Sequence, residues 1–339
     1  MKVREKIEQR EKQFLNSFAT LSANSRGREK PEAECDMRTC FQRDRDRIIY
    51  SKSFRRLKNK TQVFFSPEGD HYITRLTHTL DVSQVARSIA RCLDLNEDLA
   101  EAISLGHDLG HTPFGHAGER TLRALSGHFE HNEQSLRVVE LLENEGNGLN
   151  LTYEVKDGIV NHNNNGKPFT LEGQAVAIAD RIAYLNHDID DAIRAGIITE
   201  QDLPKEAQDL GRTSSQRINA MITSIVNNSL GKNQISMTEE VKKTTDLIRQ
   251  FMFERVYLNQ DAIKEEERAY KMLGALYDYF IKNLSKLPRT YQNVLNKGEN
   301  EIRVVCDYLS SMTDRYAVYI FEEYFIPKSF YIGNNGDKG

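Results

Sequence analysis

Apolar side chains recur along this chain at the three- and four-residue steps of a helix, and little interrupts them. Between 74 and 93 they fall at Leu76, Leu80, Val85, Ile89 and Leu93, the interval at which one face of an α-helix repeats. Gly 20 and Pro 7 in 339 residues are fewer breakers than the usual share of about 12%. Alternating apolar and polar residues, the mark of a half-buried strand, are almost absent. The expected fold class is all-α, and the length suits one large or about two ordinary domains with a sizeable core.

The punctuation divides the helices. Residues 3–20 read as a charged amphipathic helix with Ile7, Phe14, Leu15 and Phe18 on one side, followed by an irregular polar stretch from Ser22 to Asp36. Helical spacing resumes from Asp44 to Leu57, with Ile48, Ile49 and Phe54 inward; Thr61 to Phe65 read as extended, and 66–70 as a turn. Asn96 is placed to cap the next helix, with Glu97 and Asp98 at its positive end. Thr170 is placed to cap a long helix from Leu171 to about Arg194, stopped by Gly196. Shorter helices are expected over 116–125, 132–143 and 154–162, and longer ones over 214–229, 238–256, 260–284 and 299–325.

Composition excludes several classes. Lys+Arg 46 against Asp+Glu 50 leave a net charge of −4, which advertises neither nucleic acid nor an anionic membrane. The longest uninterrupted apolar run, Ala175 to Ala179, is far below the roughly 20 residues of a membrane span. No signal peptide is visible at the start, and Cys35, Cys40, Cys92 and Cys306 are too few and scattered for a disulfide scaffold. A cytoplasmic location is expected. Two local imbalances survive. Arg38 to Lys60 holds nine Lys/Arg against two Asp, and all nine histidines lie between His71 and His187. Histidine is both the commonest metal ligand and a near-neutral acid or base.

Polar residues that break a helical pattern carry the chemistry. Asp180 directly follows the Ala175–Ala179 run inside the long helix. An ionised carboxylate buried there needs compensation, by a metal ion, by an arginine, or by local exposure. His78 sits between Leu76 and Leu80, where a hydrogen-bonded core imidazole is the plain alternative to a ligand. His107-Asp108 follows Gly106 and precedes Gly110; adjacent residues point about 100° apart on a helix, so both reach one ion only where the helix loosens. Two imidazoles and two carboxylates, drawn from three helices, suit Mn, Fe, Co, Ni, Zn or Mg. Structural zinc of the four-cysteine kind and an H-E-x-x-H protease site are both excluded.

His78, His107-Asp108 and Asp180 resemble the H…HD…D signature of the HD-domain metal-dependent phosphohydrolases. The segments around them, Arg75 to Thr79, Gly106 to Glu119, Phe129 to Ser135 and Ala179 to Asp188, resemble the dGTP triphosphohydrolase (dNTPase) branch. Phe41 to Arg47 and Phe54 to Leu57 fit the same branch. The resemblance covers roughly residues 38–192. It marks an HD domain over 71–195; the residues themselves read as an N-terminal helical segment with the basic stretch over 1–70, a generically helical C-terminal region over 196–332 and a frayed tail from 333.

The resemblance further implies hydrolysis of a deoxynucleoside triphosphate to deoxynucleoside and tripolyphosphate. One divalent ion would be held by His78, His107, Asp108 and Asp180. His116 and Glu119, three residues apart and so on one helical face, would do the proton work, with His131 near the phosphates. Arg75 would meet phosphate, as would cations from the basic segment such as Arg55, Lys58 or Lys60. Tyr184 and Asp188 continue the stripe from Asp180; Tyr184 would stack on the sugar and Asp188 would accept from its 3′-hydroxyl, joined by Gln62. His71, His111, His128, His162 and His187 receive no catalytic role, although His187 is placed to orient its neighbours. A homo-oligomer is expected from the family; a nucleotide effector is left open. Two rival readings are another HD phosphohydrolase activity, on a nucleoside monophosphate, cyclic nucleotide or guanosine tetraphosphate, and a regulator that binds nucleotide or single-stranded nucleic acid. Phe64, Phe65 and Tyr72 lie beside the basic run and bear on the last.

Overall fold

The computed structural model describes residues 1–62, 73–163, 166–257 and 260–328, and among these no strand occurs. The longer helices are α1 (Val3–Phe14), α2 (Cys40–Tyr50), α3 (Arg75–Cys92), α4 (Glu97–Gly106), α5 (Gly115–Ser126), α6 (His131–Arg137), α7 (Tyr153–Val160) and α8 (Leu171–Arg194). There follow α9 (Ser214–Ser229), α10 (Glu239–Met252), α11 (Gln260–Lys282), α12 (Arg289–Asn296), α13 (Glu301–Ser310) and α14 (Asp314–Phe325). The fold is all-α. No described helix is long and apolar enough to cross a membrane.

Capping sets the boundaries of the helices that matter most. The Asn96 side chain accepts from Leu99 N at 3.2 Å, and Thr170 accepts from Gly173 N at 3.0 Å. Each satisfies one of the N–H groups a helix start leaves unpaired, worth about 1 kcal/mol. The long α8 lies across α3 and α4, while α4 also packs on α2 and α7. Ile89, Leu99, Ile103, Val176 and Ile182 are wholly buried between them, each contributing about 1.5–3 kcal/mol over its exposed state. A Cβ on Gly158 would fall 2.5 Å from Ile103 Cδ1, so α7 approaches α4 this closely only with glycine there.

Several boundaries differ from the sequence pattern. α1 stops at Phe14, because Asn16 turns the chain: its side chain accepts from Phe18 N at 2.9 Å and its own N–H reaches Asp94 O at 2.7 Å. Phe14 and Phe18 are consequently exposed, as are Ile49 and Leu80. The expected 44–57 helix starts early, at Cys40 behind a Thr39 cap, and breaks where the Ser51 hydroxyl caps a second short helix by accepting from Phe54 N at 3.1 Å. The expected 299–325 helix is two, parted at Ser311–Thr313, with Thr313 capping the second. The 132–143 helix changes to a π turn over Val138–Leu142. Thr61 forms one isolated bridge to Thr74; residues 63–65 of the expected extended segment, and Tyr72, lie outside the described residues.

The C-terminal helices join the same hydrophobic core, through Leu276, Phe280, Val305 and Leu309 among others. α11 packs directly on α5. Polar contacts reinforce the join: Phe114 N donates to Asp314 Oδ1 at 3.0 Å, and Gln134 Nε2 to Asp307 Oδ1 at 3.0 Å.

Candidate metal centre

α3, the end of α4 and the middle of α8 converge on one buried point. There His78 Nε2 lies 3.0 Å from Asp180 Oδ1. His107 follows the last residue of α4, where its Nδ1 donates to Ser104 O at 2.6 Å. That bond fixes the tautomer and leaves Nε2 bare. Nε2 has no hydrogen-bond partner, yet sits 3.5 Å from Asp108 Oδ1 and 3.6 Å from Asp180 Oδ1. An orphaned buried nitrogen aimed between two carboxylates is what a divalent cation would occupy. The four residues expected as ligands are thus brought together, and this donor set fits such an ion.

The electrostatics have the same sense. Burial works to raise the Asp180 pKa, but the imidazoles of His107 and His78 hold it well below the usual carboxylate range. Burial likewise opposes charge on His107, yet Asp108 and Asp180 lift its pKa to about 9, so with no metal Nε2 takes up a proton and places positive charge where a cation would sit. Two acids on one imidazole favour a cation at that point. The turn itself depends on Gly110, where a Cβ would fall 2.2 Å from Ser135 N. The Ser135 hydroxyl accepts from Gly110 N at 2.9 Å and lies 2.6 Å from His107 O, tying the turn to α6.

A second group borders the first. His116 lies on the first turn of α5, about half exposed, with Nδ1 3.8 Å from Glu119 Oε2. Glu119 is buried and also accepts from His131 Nδ1 at 3.1 Å; despite its burial, His116 and His131 hold its pKa well below the normal range. Arg75 is 2% exposed and donates from Nη1 to Asp108 Oδ2 at 2.8 Å. Gln62 is buried, with its carbonyl 3.4 Å from Arg75 Nη2 and its side-chain oxygen unpartnered. Tyr184 presents its ring to His116 at 6.2 Å. Asp188, one turn further along α8, accepts from the Tyr257 hydroxyl. Burial pushes the Asp188 pKa up to about 8 against the hydrogen bonds from the two tyrosines.

Some residues here were not picked out by the sequence. His162 and His111 are both buried inside the cluster. His162 donates from Nδ1 to Ile159 O at 2.7 Å, repeating at the end of α7 the device by which His107 is fixed at the end of α4. The signal was a histidine just past a helix end. His111 Nε2 lies 3.3 Å from Asp108 Oδ1, and its ring stacks on His131 at 4.2 Å. Ring contacts run without a break from His187 through His78, His107, His162, His131 and His111 to His116. His187 also pairs with Asp81 at 3.0 Å. The crowding of histidines in sequence is therefore a crowding in space. His128 stands apart on Glu133, and His71 lies outside the described residues. Tyr257 comes from beyond the recognised segment.

The basic stretch is mostly spent internally. Arg38 pairs with Asp46, Arg45 with Glu101 and Arg47 with Glu32. Lys60, expected to face phosphate, is instead buried, with Nζ on the carbonyls of His111 and Ser310. Burial drives its pKa down, and the two carbonyls take its donors before any solvent anion can. Arg55 and Lys58 are exposed. A run so neutralised is a poor groove for single-stranded nucleic acid.

An all-helical bundle with two imidazoles and two carboxylates converging from three helices defines the HD class of phosphohydrolases. The chain matches the HD domain family over residues 75–185 and the phosphohydrolase-associated domain family over 235–323. A deoxyguanosinetriphosphate triphosphohydrolase-like protein of Caldanaerobacter subterraneus is 54% identical over 336 residues, covering 98% of this chain and 99% of the relative. One from Desulfatibacillum aliphaticivorans is 47% identical over 347 residues, covering 96% and 99%. The crystal structure of a phosphohydrolase from Bacteroides thetaiotaomicron superimposes with a TM-score of 0.52 at 18% identity, covering 82% of this chain and 68% of that one; it shows the shared fold. The chain belongs to the deoxyguanosinetriphosphate triphosphohydrolase-like family, a hydrolase family of the HD class.

Proposed function

We propose that this protein hydrolyses deoxynucleoside triphosphates, dGTP or its relatives, to deoxynucleoside and tripolyphosphate. The observation that carries the reading is the orphaned Nε2 of His107 between two acids, with His116 and Tyr184 bordering the same cluster. His78, His107, Asp108 and Asp180 would hold one divalent ion, of which Mn, Mg, Co, Fe, Ni and Zn all suit the donors. When bound, such an ion supplies Lewis acidity toward phosphate oxygens.

The chain's own side chains do the rest. His116 is exposed enough to meet the scissile bond, and it handles the proton that accompanies departure of the 5′-oxygen. Glu119 behind it, 3.8 Å from its Nδ1, holds the imidazole in orientation. His131 shares Glu119 and so responds to the same carboxylate. Arg75, already on Asp108, stands beside the ligands where a phosphate would approach. Tyr184, Tyr257 and Asp188 form the sugar end, with the tyrosine ring restricting space at C2′ and Asp188 meeting the 3′-hydroxyl.

The test is direct. The purified full chain is incubated with each of the four dNTPs and Mn²⁺ or Mg²⁺, singly and mixed, and the products are separated. Equal amounts of deoxynucleoside and tripolyphosphate are expected. Release of orthophosphate or pyrophosphate instead, or no turnover of any dNTP, would overturn the reading. Turnover only in mixtures would reveal a nucleotide effector.

A further inference from the structure

The turn that delivers His116 is strained. Phe114 takes φ +61 and ψ +27, and Gly115 takes φ +54, so two successive residues lie in the left-handed region just before the helix that carries the imidazole. A phenylalanine enters that region at a cost and stays there only where its surroundings fix it. One group that fixes it comes from far along the chain. Asp314, the first residue of α14, is buried and accepts from Phe114 N at 3.0 Å through Oδ1.

The other oxygen of the same carboxylate holds a second segment. Oδ2 accepts from Thr61 N at 3.0 Å and from Thr61 Oγ1 at 2.7 Å. Thr61 leads directly into Gln62, whose carbonyl accepts from Arg75 Nη2 at 3.4 Å and whose side-chain oxygen is buried without a partner. Asp314 thus ties together two segments that lie 200 and 253 residues before it. The expected metal ligands are held by other means. His107 Nδ1 donates to Ser104 O at 2.6 Å, Asp108 accepts from Arg75 at 2.8 Å, and His78 and Asp180 lie inside long helices.

We propose that Asp314 is a positioning residue for the hydrolysis, a role that rests on the function proposed above. Its two carboxylate oxygens set the separation between His116, at the departing 5′-oxygen, and Gln62, expected beside Asp188 at the 3′-hydroxyl. Both oxygens of the substrate belong to one sugar, so the groups that meet them tolerate little relative movement, and a misplacement of about 1 Å costs about a hundredfold in rate. A carboxylate suits the position because it accepts at both ends. An asparagine of the same size turns an NH₂ toward one of the two segments, and so holds one while releasing the other.

The experiment assays dNTP hydrolysis with Mn²⁺ by the full-length wild type, Asp314→Asn, Asp314→Glu, His116→Ala and the variant combining His116→Ala with Asp314→Asn. Bound manganese is measured on each, and the His116→Ala background is read in single turnover, where slow residual hydrolysis is measurable. The kcat should fall about 30-fold in Asp314→Asn and about tenfold in Asp314→Glu, with manganese per chain unchanged. Added to His116→Ala, the Asp314→Asn change should cost less than about threefold, because the group it positions is already gone. A kcat within about threefold of wild type in both Asp314 variants overturns the proposal and leaves the dNTP hydrolase reading standing. A full further loss on the His116→Ala background, or loss of manganese, overturns it equally, since Asp314 would then support the whole centre. No turnover by the wild type overturns that reading and this proposal with it. If circular dichroism shows Asp314→Asn unfolded, Asp314→Glu, which keeps the charge, decides: a lowered kcat at full manganese supports the proposal and an unchanged kcat refutes it.

Discussion

The ligand cluster and the His116–Glu119–His131 face adjoin at Asp108, but they are held by different means. His78 and Asp180 lie within α3 and α8, helices of 18 and 24 residues buried along one side against each other. His116 and His131 start α5 and α6, of 12 and 7 residues, and depend on partners from far along the chain. Asp314 accepts from Phe114 N just before α5, and Asp307 takes Gln134 and Arg137 of α6, the latter at 2.9 Å. The proposed ligands thus belong to the helical bundle itself, while the proposed proton-handling face is held in place by the C-terminal helices as well. Metal binding and turnover should therefore separate under mutation.

The largest effect is expected at Asp180. Asp180→Ala removes a ligand and the charge that two imidazoles face, so bound metal and dNTP hydrolysis should both fall, activity by on the order of a thousandfold or more. Metal analysis beside product chromatography checks it, and full metal content in this variant would break the contrast. His116→Ala should lower turnover by roughly 10² to 10⁴ while metal content stays at the wild-type value. Retained hydrolysis would refute the role given to His116.

A remote variant sharpens the point. Asp307 is wholly buried, and Asp307→Ala takes from Gln134 Nε2 and Arg137 their shared buried acceptor, leaving Arg137 with Glu299 alone, at a cost of about 3 kcal/mol. Lower thermal stability and a drop in kcat of roughly tenfold are expected from the loosened α6, read by calorimetry and steady-state kinetics. An unchanged kcat would mean α6 needs no support from α13.

The smallest effect concerns pH. The Asp188 carboxyl ionises near 3.8 when unfolded and at about 8 when folded. Its contribution to stability is therefore full below the lower value and is lost as pH rises through the higher one. Asp188→Asn should abolish that loss, so the Tm advantage of the variant over wild type grows by several degrees between pH 5 and pH 8.5. A pH-independent difference would show that the carboxyl titrates normally.

How much of this was legible beforehand depended on range. Asn96 and Thr170 cap the helices they precede, because a cap is a contact three residues long. α8 ends at Arg194 and Gly196 takes φ +69, as the glycine suggested. The failures came where a distant partner decided. Leu80 keeps the helical interval yet is exposed. Lys60 belongs to a basic run and is buried nonetheless, drawn in by carbonyls 51 and 250 residues away. His162 was passed over because its own segment gives it no unusual neighbour.

Periodicity, caps and breakers act within a turn or two of helix, so the chain's order of residues sufficed for its helical class, most helix starts and the four residues with ligand chemistry. Which imidazole nitrogen is bare, which carboxylates face it, and which of nine histidines share one cluster are properties of side chains brought together by packing. Those depend on where several helices meet, and burial there makes each unpaired donor or charge costly enough that only the assembled core settles its partner.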